Sequence, residues 1–325
     1  MKKNIAIIGG GFSSEAEISM KSTQQLCEMM DSSLFHLYPI FISKKGWDVQ
    51  LDGKTYPVNK ADFSFEKDGV KITFDCVYNS IHGTPGEDGR LSSYFELIGM
   101  PYTSCGVFTS SLTFNKYATK MFLHSFGITS AEAFLVRKGD TVNPQEIVDF
   151  LGLPCFIKPN NGGSSFGVSK VKTIEDIQPA IDKALGEDSE VIIESFIKGI
   201  EVSNGAYEID GAIRILPITE IRTDNEFFDY QAKYEGKSKE ITPAEIPDEV
   251  TMACKTQTAK IYKALDCKGI CRVDYIIRDN ELFFLEINTV PGMSKASIIP
   301  QQIRAAGMKE SDVFTSIINE CISKK

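Results

Sequence analysis

The chain has 325 residues, with 35 Lys and Arg against 44 Asp and Glu, for a formal net charge of −9. With 42% hydrophobic and 24% charged residues, 25 Gly and 13 Pro, it has globular proportions, which exclude collagen, coiled coil and a largely disordered chain. The acidic balance argues against a general nucleic-acid binder but leaves room for a local basic pocket.

No apolar run approaches the roughly 18–20 residues that span a bilayer, so no membrane association is expected. The apolar run at 5–8 is too short for a signal peptide. The eight cysteines are scattered through apolar stretches and read as reduced, mostly buried thiols of a cytoplasmic protein. Only Cys267 and Cys271 are close in sequence, and no second pair completes a zinc site.

In chain order, residues 4–8 predict a buried strand, and Gly9, Gly10 and Gly11 a tight turn after it. A helix follows from Glu15 to about Met30, with Ile18, Ser22, Leu26 and Met29 on one face. Residues 34–42 predict a second strand, in which His36 alternates with apolar neighbours and reads as a packed residue. Hairpins are expected over 47–58 and 63–74, turning at Asp52-Gly53 and Asp68-Gly69. A strand over 76–81 runs into His82-Gly83-Thr84-Pro85-Gly86-Glu87-Asp88-Gly89, and a helix over 90–98 stops at Gly99. Such alternation marks an α/β unit with its active loops at strand ends.

A second unit begins near Ser104. A helix over 113–126 carries Lys116 and Lys120, and a strand follows at 132–136. Asn143-Pro144 starts a helix that ends at Gly152. A strand at 155–158 leads into a glycine-rich stretch and a further strand at 168–171, then a helix from a Thr173 cap to about 185 and a strand at 190–194. The third unit reads as antiparallel. Strands at 201–208 and 212–221 flank Asp210-Gly211, and the polar stretch 222–240 is expected to be a mobile loop. A helix over 248–265, a hairpin of 269–278 with 281–287 turning at Asp279-Asn280, and helices near 297–306 and 311–323 complete the chain.

The first glycine run lacks the last glycine of G-x-G-x-x-G, and no acidic residue ends a second strand in the place a dinucleotide site needs. A P-loop and a G-x-S-x-G nucleophile elbow are absent, and His36, His82 and His124 form no metal spacing. From Lys158 to Gly167, a lysine at a strand end precedes small, hydroxyl-bearing residues. Backbone N–H groups and a cation there suit phosphate oxygens, although a surface turn has the same composition. The most informative cluster is Arg272 and Asp274 with Glu286 and Asn288. Alternation puts each pair on one strand face, and the Asp279-Asn280 turn makes the two strands antiparallel neighbours. Two carboxylates and a carboxamide are hard oxygen ligands of the type Mg²⁺ takes beside phosphates.

In order along nearly the whole chain come Gly10-Gly-Phe-Ser-Ser-Glu15, His82-Gly-Thr-Pro-Gly-Glu-Asp-Gly89, Pro101-Tyr-Thr103 and Lys116-x-x-x-Lys120. Lys158-Pro-Asn-Asn-Gly-Gly-Ser164-Ser-Phe-Gly167, Glu194 with Glu201, Phe228-Asp-Tyr-Gln-Ala-Lys233-Tyr234, Arg272-Val-Asp274 and Glu286-Ile-Asn-Thr-Val-Pro-Gly-Met293 follow. This series resembles the D-alanine–D-alanine ligase family of ATP-grasp enzymes. Val290 stands where that family often has serine, and Asn160-Asn161-Gly162 where it has bulkier polar residues.

The resemblance implies an α/β (α+β) protein of ATP-grasp fold with three α/β domains, 1–104, 105–195 and 196–325, and ATP held between the second and third. It implies ligation of two D-alanine molecules through a D-alanyl phosphate for peptidoglycan precursors, with two Mg²⁺ ions (Mn²⁺ as substitute) and a homodimeric assembly. By family position, Lys116, Lys158, Ser164 and Ser165 serve the ATP phosphates, and Asp274, Glu286 and Asn288 the metal. Glu194, Phe196 and Ile197 read adenine, Glu201 takes the ribose hydroxyls, and Phe227 covers the ring. Arg272 and the Gly292 N–H form the oxyanion site. Glu15 and His82 hold the first D-alanine, Lys233 and Ser297 hold the carboxylate of the second, and Ser164 and Tyr234 bond with Glu15. A D-alanine–D-serine or D-alanine–D-lactate ligase, or a non-catalytic ATP-binding module, are the competing readings. Tyr234 argues against the lactate type, and the intact Arg272, Asp274, Glu286 and Asn288 set argues against the module.

Overall fold

A computed structural model describes residues 2–163, 167–223 and 238–323. The first sheet has the order β4-β3-β2-β1-β7, where β1 is Lys3–Gly10, β2 Phe35–Ile42, β3 Trp47–Leu51, β4 Lys54–Pro57 and β7 Cys76–Asn79. A separate small hairpin joins β5 (Phe65–Lys67) to β6 (Val70–Ile72). β1 pairs in parallel with β2 and with β7. Ile5, Ala6, Ile7 and Ile8 are all buried, because a parallel strand is covered on both faces. The loops that follow β1 and β7 therefore leave the sheet side by side at its carboxyl end. Gly10 (φ +92°) makes that exit possible, since a Cβ there would lie 2.6 Å from the Ile42 carbonyl oxygen.

His36 is exposed rather than packed. β3 pairs with β2 only from Ile40 to Ile42, so the first half of β2 is an uncovered edge. The expected helix over 113–126 is two helices, α3 (Val107–Phe114) and α4 (Lys116–His124), following α1 (Ala16–Met29) and α2 (Arg90–Leu97). Asn115 separates them with extended backbone and accepts the Ala118 N–H on its side chain, an N-cap inserted into an otherwise helical run. The β-branched, serine-rich sequence of α3 has weak helix propensity, which hid it from the sequence pattern.

The second sheet is antiparallel in the order β10-β9-β11-β8, with β8 Ala133–Arg137, β9 Cys155–Pro159, β10 Ser169–Val171 and β11 Glu190–Ser195. Helices α5 (Pro144–Leu151) and α6 (Ile177–Leu185) close a core around Ile147, Ile157, Ile181 and Ile193. Asn143 caps α5 as expected, accepting the Gln145 N–H. Thr173 does not cap α6. Its hydroxyl bonds to the Asp176 carboxylate, and a 3₁₀ turn, Ile174–Asp176, comes first.

The third sheet runs β14-β13-β12-β15-β16, with β12 Ile200–Ile209, β13 Ala212–Thr223, β14 Ser238–Ile241, β15 Cys271–Arg278 and β16 Glu281–Asn288. The stretch expected as one loop over 222–240 is in strands at both ends, Arg222 pairing with Lys239. β14 is an edge strand, which tolerates that polar composition. Residues 224–237 between the ends lie outside the described residues. Helix α7 (Asp248–Ala264) packs on this sheet through Val250, Cys254 and Ile261. The last two helices, α8 (Ile298–Ala305) and α9 (Glu310–Ser323), return to the first sheet, where Ile5, Ile7 and Tyr78 share a core with Tyr207, Leu216 and Phe314. Among the described residues no helix is long and apolar enough to cross a membrane.

All eight cysteines are free thiols. The sequence pairs only Cys267 with Cys271, but folding brings the distant Cys105 against them. Hydrogen bonds from Cys267 and Cys271 hold the Cys105 thiol well below its ordinary range.

Candidate active site

Two adjoining cavities open between the sheets, of about 1500 and 620 Å³. Glu15, Lys116, Gly162, Gly163, Arg272 and Glu286 line both. The larger also takes Lys158, Glu194, Phe196, Ile197, Glu201 and Asp274, and the smaller His82, Asn288, Gly292 and Ser297. Every sequence-predicted site residue that is described thus faces one continuous space. Ser164, Ser165, Phe227, Lys233 and Tyr234 lie outside the described residues.

The acidic strand pair forms as alternation predicts. Asp274 on β15 stands opposite Glu286 on β16, and Arg272 opposite Asn288. The Arg272 guanidinium forks onto Asp274 at 2.9 and 2.7 Å, and Asn288 Nδ2 donates to the same carboxylate at 3.1 Å. Ser203 on β12 adds a hydroxyl donor to Asp274. Because Asn288 donates through its nitrogen, its carbonyl oxygen is the atom left to a cation. Two carboxylates and that oxygen on one sheet face fit a hard divalent ion such as Mg²⁺.

The opposite wall is cationic. Lys158 contacts Glu194 at 2.5 Å, and Lys120 from α4 contacts the other oxygen of the same carboxylate. Burial works against the Glu194 charge, but Lys120 and Lys158 outweigh it and hold its pKa down to about 2. Burial likewise opposes the charge on Lys158, yet Glu194 and Glu286 keep its pKa above the ordinary lysine value. Lys116, at the first turn of α4, donates to the Gly162 carbonyl, and burial lowers its pKa against the pull of Glu286.

Phe156 and Phe196 pack with ring centroids 5.9 Å apart, and the Lys170 ammonium sits 4.1 Å over Phe196. With Ile197 and Phe283 they make an apolar slot in the larger cavity, suited to a flat ring. The sequence reading left Phe156 and Lys120 without roles. Period-two alternation along β9 puts Phe156 on the face of Lys158, so Phe156 was within reach of that signal. Lys120 is one helical turn beyond Lys116, but only the folded chain reveals its carboxylate partner.

At the other end, Glu15 precedes α1 and is 8% exposed. Its carboxylate lies against Gly83 and Gly163, where Cβ atoms would stand 3.1 and 3.2 Å from its oxygens. His82 is buried, and its Nδ1 lies 2.9 Å from the Val290 carbonyl oxygen. A carbonyl can only accept, so Nδ1 carries the proton. Nε2 has no partner among the described residues. Burial lowers the His82 pKa, and Glu15 pulls it back up. Glu87, another residue without a role in the sequence reading, accepts the N–H groups of Gly83 at 2.7 Å and Val290 at 3.3 Å. Burial and then the Glu15 charge push its pKa up to about 8. Gly292 backs onto Ser297, whose Oγ bonds to the Ser294 hydroxyl at 2.8 Å and accepts its N–H at 3.1 Å.

A cleft between two antiparallel sheets, with buried lysines and an apolar slot on one wall and an acid–amide strand pair on the other, defines an ATP-grasp fold. The family profile described as D-ala D-ala ligase N-terminus matches residues 4–105, and that described as D-ala D-ala ligase C-terminus matches 122–319. A D-alanine–D-alanine ligase of Parabacteroides distasonis is 52% identical over 322 residues, covering 98% of each chain. The structure of D-alanyl-alanine synthetase A from Vibrio cholerae superposes with a TM-score of 0.88 at 26% identity over 99% of both chains. A Bacillus anthracis D-alanine–D-alanine ligase complexed with ATP gives 0.79 at 28% identity, over 99% of this chain and 98% of that one. The chain belongs to the D-alanine–D-alanine ligase family.

Proposed function

We propose that the protein joins two D-alanine molecules into D-alanyl-D-alanine at the expense of ATP, in the cytoplasm, for cell-wall precursors. The observation that carries this reading is the register of Arg272 and Asp274 against Asn288 and Glu286, in a cleft that also holds Lys116, Lys158 and Glu15. The apolar slot of Phe156, Phe196 and Ile197 takes adenine, Glu201 the ribose hydroxyls, and Lys116 and Lys158 the phosphates. Asp274, Glu286 and Asn288 would hold Mg²⁺, which when bound neutralises phosphate charge.

Glu15 pairs with the ammonium of the first D-alanine, and the His82 Nε2 edge faces its carboxylate. That carboxylate attacks the γ-phosphorus and the bond from phosphorus to the β–γ bridging oxygen breaks, releasing ADP. Attack by one anion on another is tolerated because Lys116, Lys158 and Arg272 surround it. The amine of the second D-alanine, held by Ser297 and Lys233, then attacks the acyl carbon and loses a proton. Arg272 and the Gly292 N–H take the oxyanion of the tetrahedral intermediate, which collapses with loss of inorganic phosphate. The family motif supports roles for Ser164 and Ser165 at the phosphates, Tyr234 beside Glu15 and Phe227 over the ring.

The test is product analysis with ATP, Mg²⁺ and equal D-alanine, D-serine and D-lactate. D-Alanyl-D-alanine is expected as the main product, and a predominance of D-alanyl-D-serine or D-alanyl-D-lactate would reassign the second substrate. Asp274→Asn and Glu286→Gln keep side-chain size but remove charge, so each is expected to lose at least about a hundredfold in turnover while remaining folded by circular dichroism. Turnover within tenfold of the parent in either variant would remove these residues from the metal set.

A further inference from the structure

Away from the cleft, the only group of three or more metal-ligating side chains from His, Cys, Asp and Glu that the described residues bring together is Cys105, Cys267 and Cys271. The three are 0%, 4% and 0% exposed and lie in one apolar core with Leu123, Ile128 and Tyr262. Their sulfurs all fall within 4.8 Å of one another, and Cys105 and Cys271 are 3.7 Å apart. Sulfurs bound to one metal at about 2.3 Å stand about 3.8 Å apart in a tetrahedron and about 4.0 Å apart in a trigonal plane.

The cluster is built by the close meeting of two distant segments. After α7, the Tyr262 hydroxyl bonds to the Gly269 carbonyl at 2.8 Å and holds the turn that leads into β15. Gly269 (φ +64°) presses against the backbone of Thr103 so closely that a Cβ would sit 1.8 Å from its carbonyl oxygen. That contact delivers Cys105 over the turn, where its sulfur accepts the Lys268 N–H at 3.3 Å. The three thiols therefore converge at a joint between the first sheet's trailing segment and the third sheet.

We propose that Cys105, Cys267 and Cys271 form a binding site for a soft monovalent cation, with Cu⁺ its natural occupant. Thiolate sulfur selects Cu⁺, and three sulfurs in a dry apolar pocket satisfy it, whereas Zn²⁺ ordinarily takes four ligands. Binding releases thiol protons to solvent and involves no change of oxidation state. The load would sit one residue from Arg272, on the strand that carries Asp274.

The test titrates the purified protein anaerobically against the coloured Cu⁺ complex of bathocuproine disulfonate, with Mg²⁺ present to occupy the carboxylates. One equivalent of copper should pass to the protein, with loss of the chelate colour. X-ray absorption at the copper edge of the loaded protein should then show three sulfur neighbours. Cys105→Ala should leave the copper with the chelator, while Cys76→Ala should still withdraw one equivalent. No transfer to the parent protein overturns the proposal, as does equal transfer to Cys105→Ala. Two sulfur neighbours also overturn it, because Cys76 and Cys321, whose sulfurs are 3.3 Å apart, offer only a pair. The absorption measurement uses the unaltered protein, so it decides the matter even if an alanine variant fails to fold.

Discussion

Glu194 and Glu87 border the two adjoining cavities, and burial pushes both carboxyls up, yet the two titrate in opposite directions. Glu194 sits between two lysines that are themselves nearly enclosed, so its carboxyl is held down to about 2. Glu87 has no lysine at contact distance among the described residues. It has two backbone N–H groups and the negative Glu15 nearby, and is pushed up to about 8. Desolvation penalises both anions equally in kind, and the neighbouring charge decides the sign. The cleft is thus polarised, with fixed cations where polyphosphate is proposed to lie and crowded acids where an ammonium is proposed to lie.

The strongest way to break this contrast is to remove the Glu194 charge. Glu194→Gln leaves Lys120 and Lys158 buried without their anion, and the expected cost is about 3–5 kcal/mol, read as a drop in the urea midpoint. A loss below about 1 kcal/mol would mean that water already screens the lysines.

The same contrast predicts an acid limb. Glu194 binds its proton more weakly folded than unfolded, so its stabilisation is complete above about pH 4.5 and is lost as pH falls toward about 2. The parent protein should lose on the order of 3 kcal/mol over that window, and Glu194→Gln should show a flatter profile. Parallel profiles for the two proteins would place the acid sensitivity elsewhere.

Glu87 predicts a limb of opposite slope. Its folded pKa is raised, so the folded state binds the extra proton between about pH 4.5 and 8 and stability falls as pH rises through that range. Glu87 keeps some contact with solvent, which reduces the expected fall to about 2 kcal/mol. Glu87→Gln cannot titrate and should flatten this limb whatever its absolute stability. The smallest expected effect comes from Glu15→Gln. It removes the second cause of the Glu87 shift and should move the upper end of the limb down by up to about one pH unit. An unmoved upper end would leave burial alone responsible.

Much of this architecture is legible from local spacing. Period-two alternation and the Asp279-Asn280 turn place Arg272, Asp274, Glu286 and Asn288 together, because adjacent strands of a hairpin have their register set by the turn between them. The Asn143 cap and the burial of residues 5–8 are local in the same sense. Errors arise where a local pattern has two solutions. A helical run from 113 to 126 contains an asparagine able to cap the amide of Ala118 three residues on, and the fold uses it to turn Lys116 and Lys120 into the cleft.

The sequence by itself determined the strand and turn grammar, the acid–amide pair and the order of motifs that identifies the family. Only the tertiary structure decided that Lys120 and Lys158 share Glu194, that Glu87 crowds Glu15, that His36 lies on an uncovered edge, and that Cys105 meets Cys267 and Cys271. The physical reason is range. Backbone periodicity and turn chemistry act over two to four residues and are written locally, whereas a buried ion pair or thiol cluster joins segments dozens to more than 150 residues apart, and only the packing of whole sheets and helices brings those together.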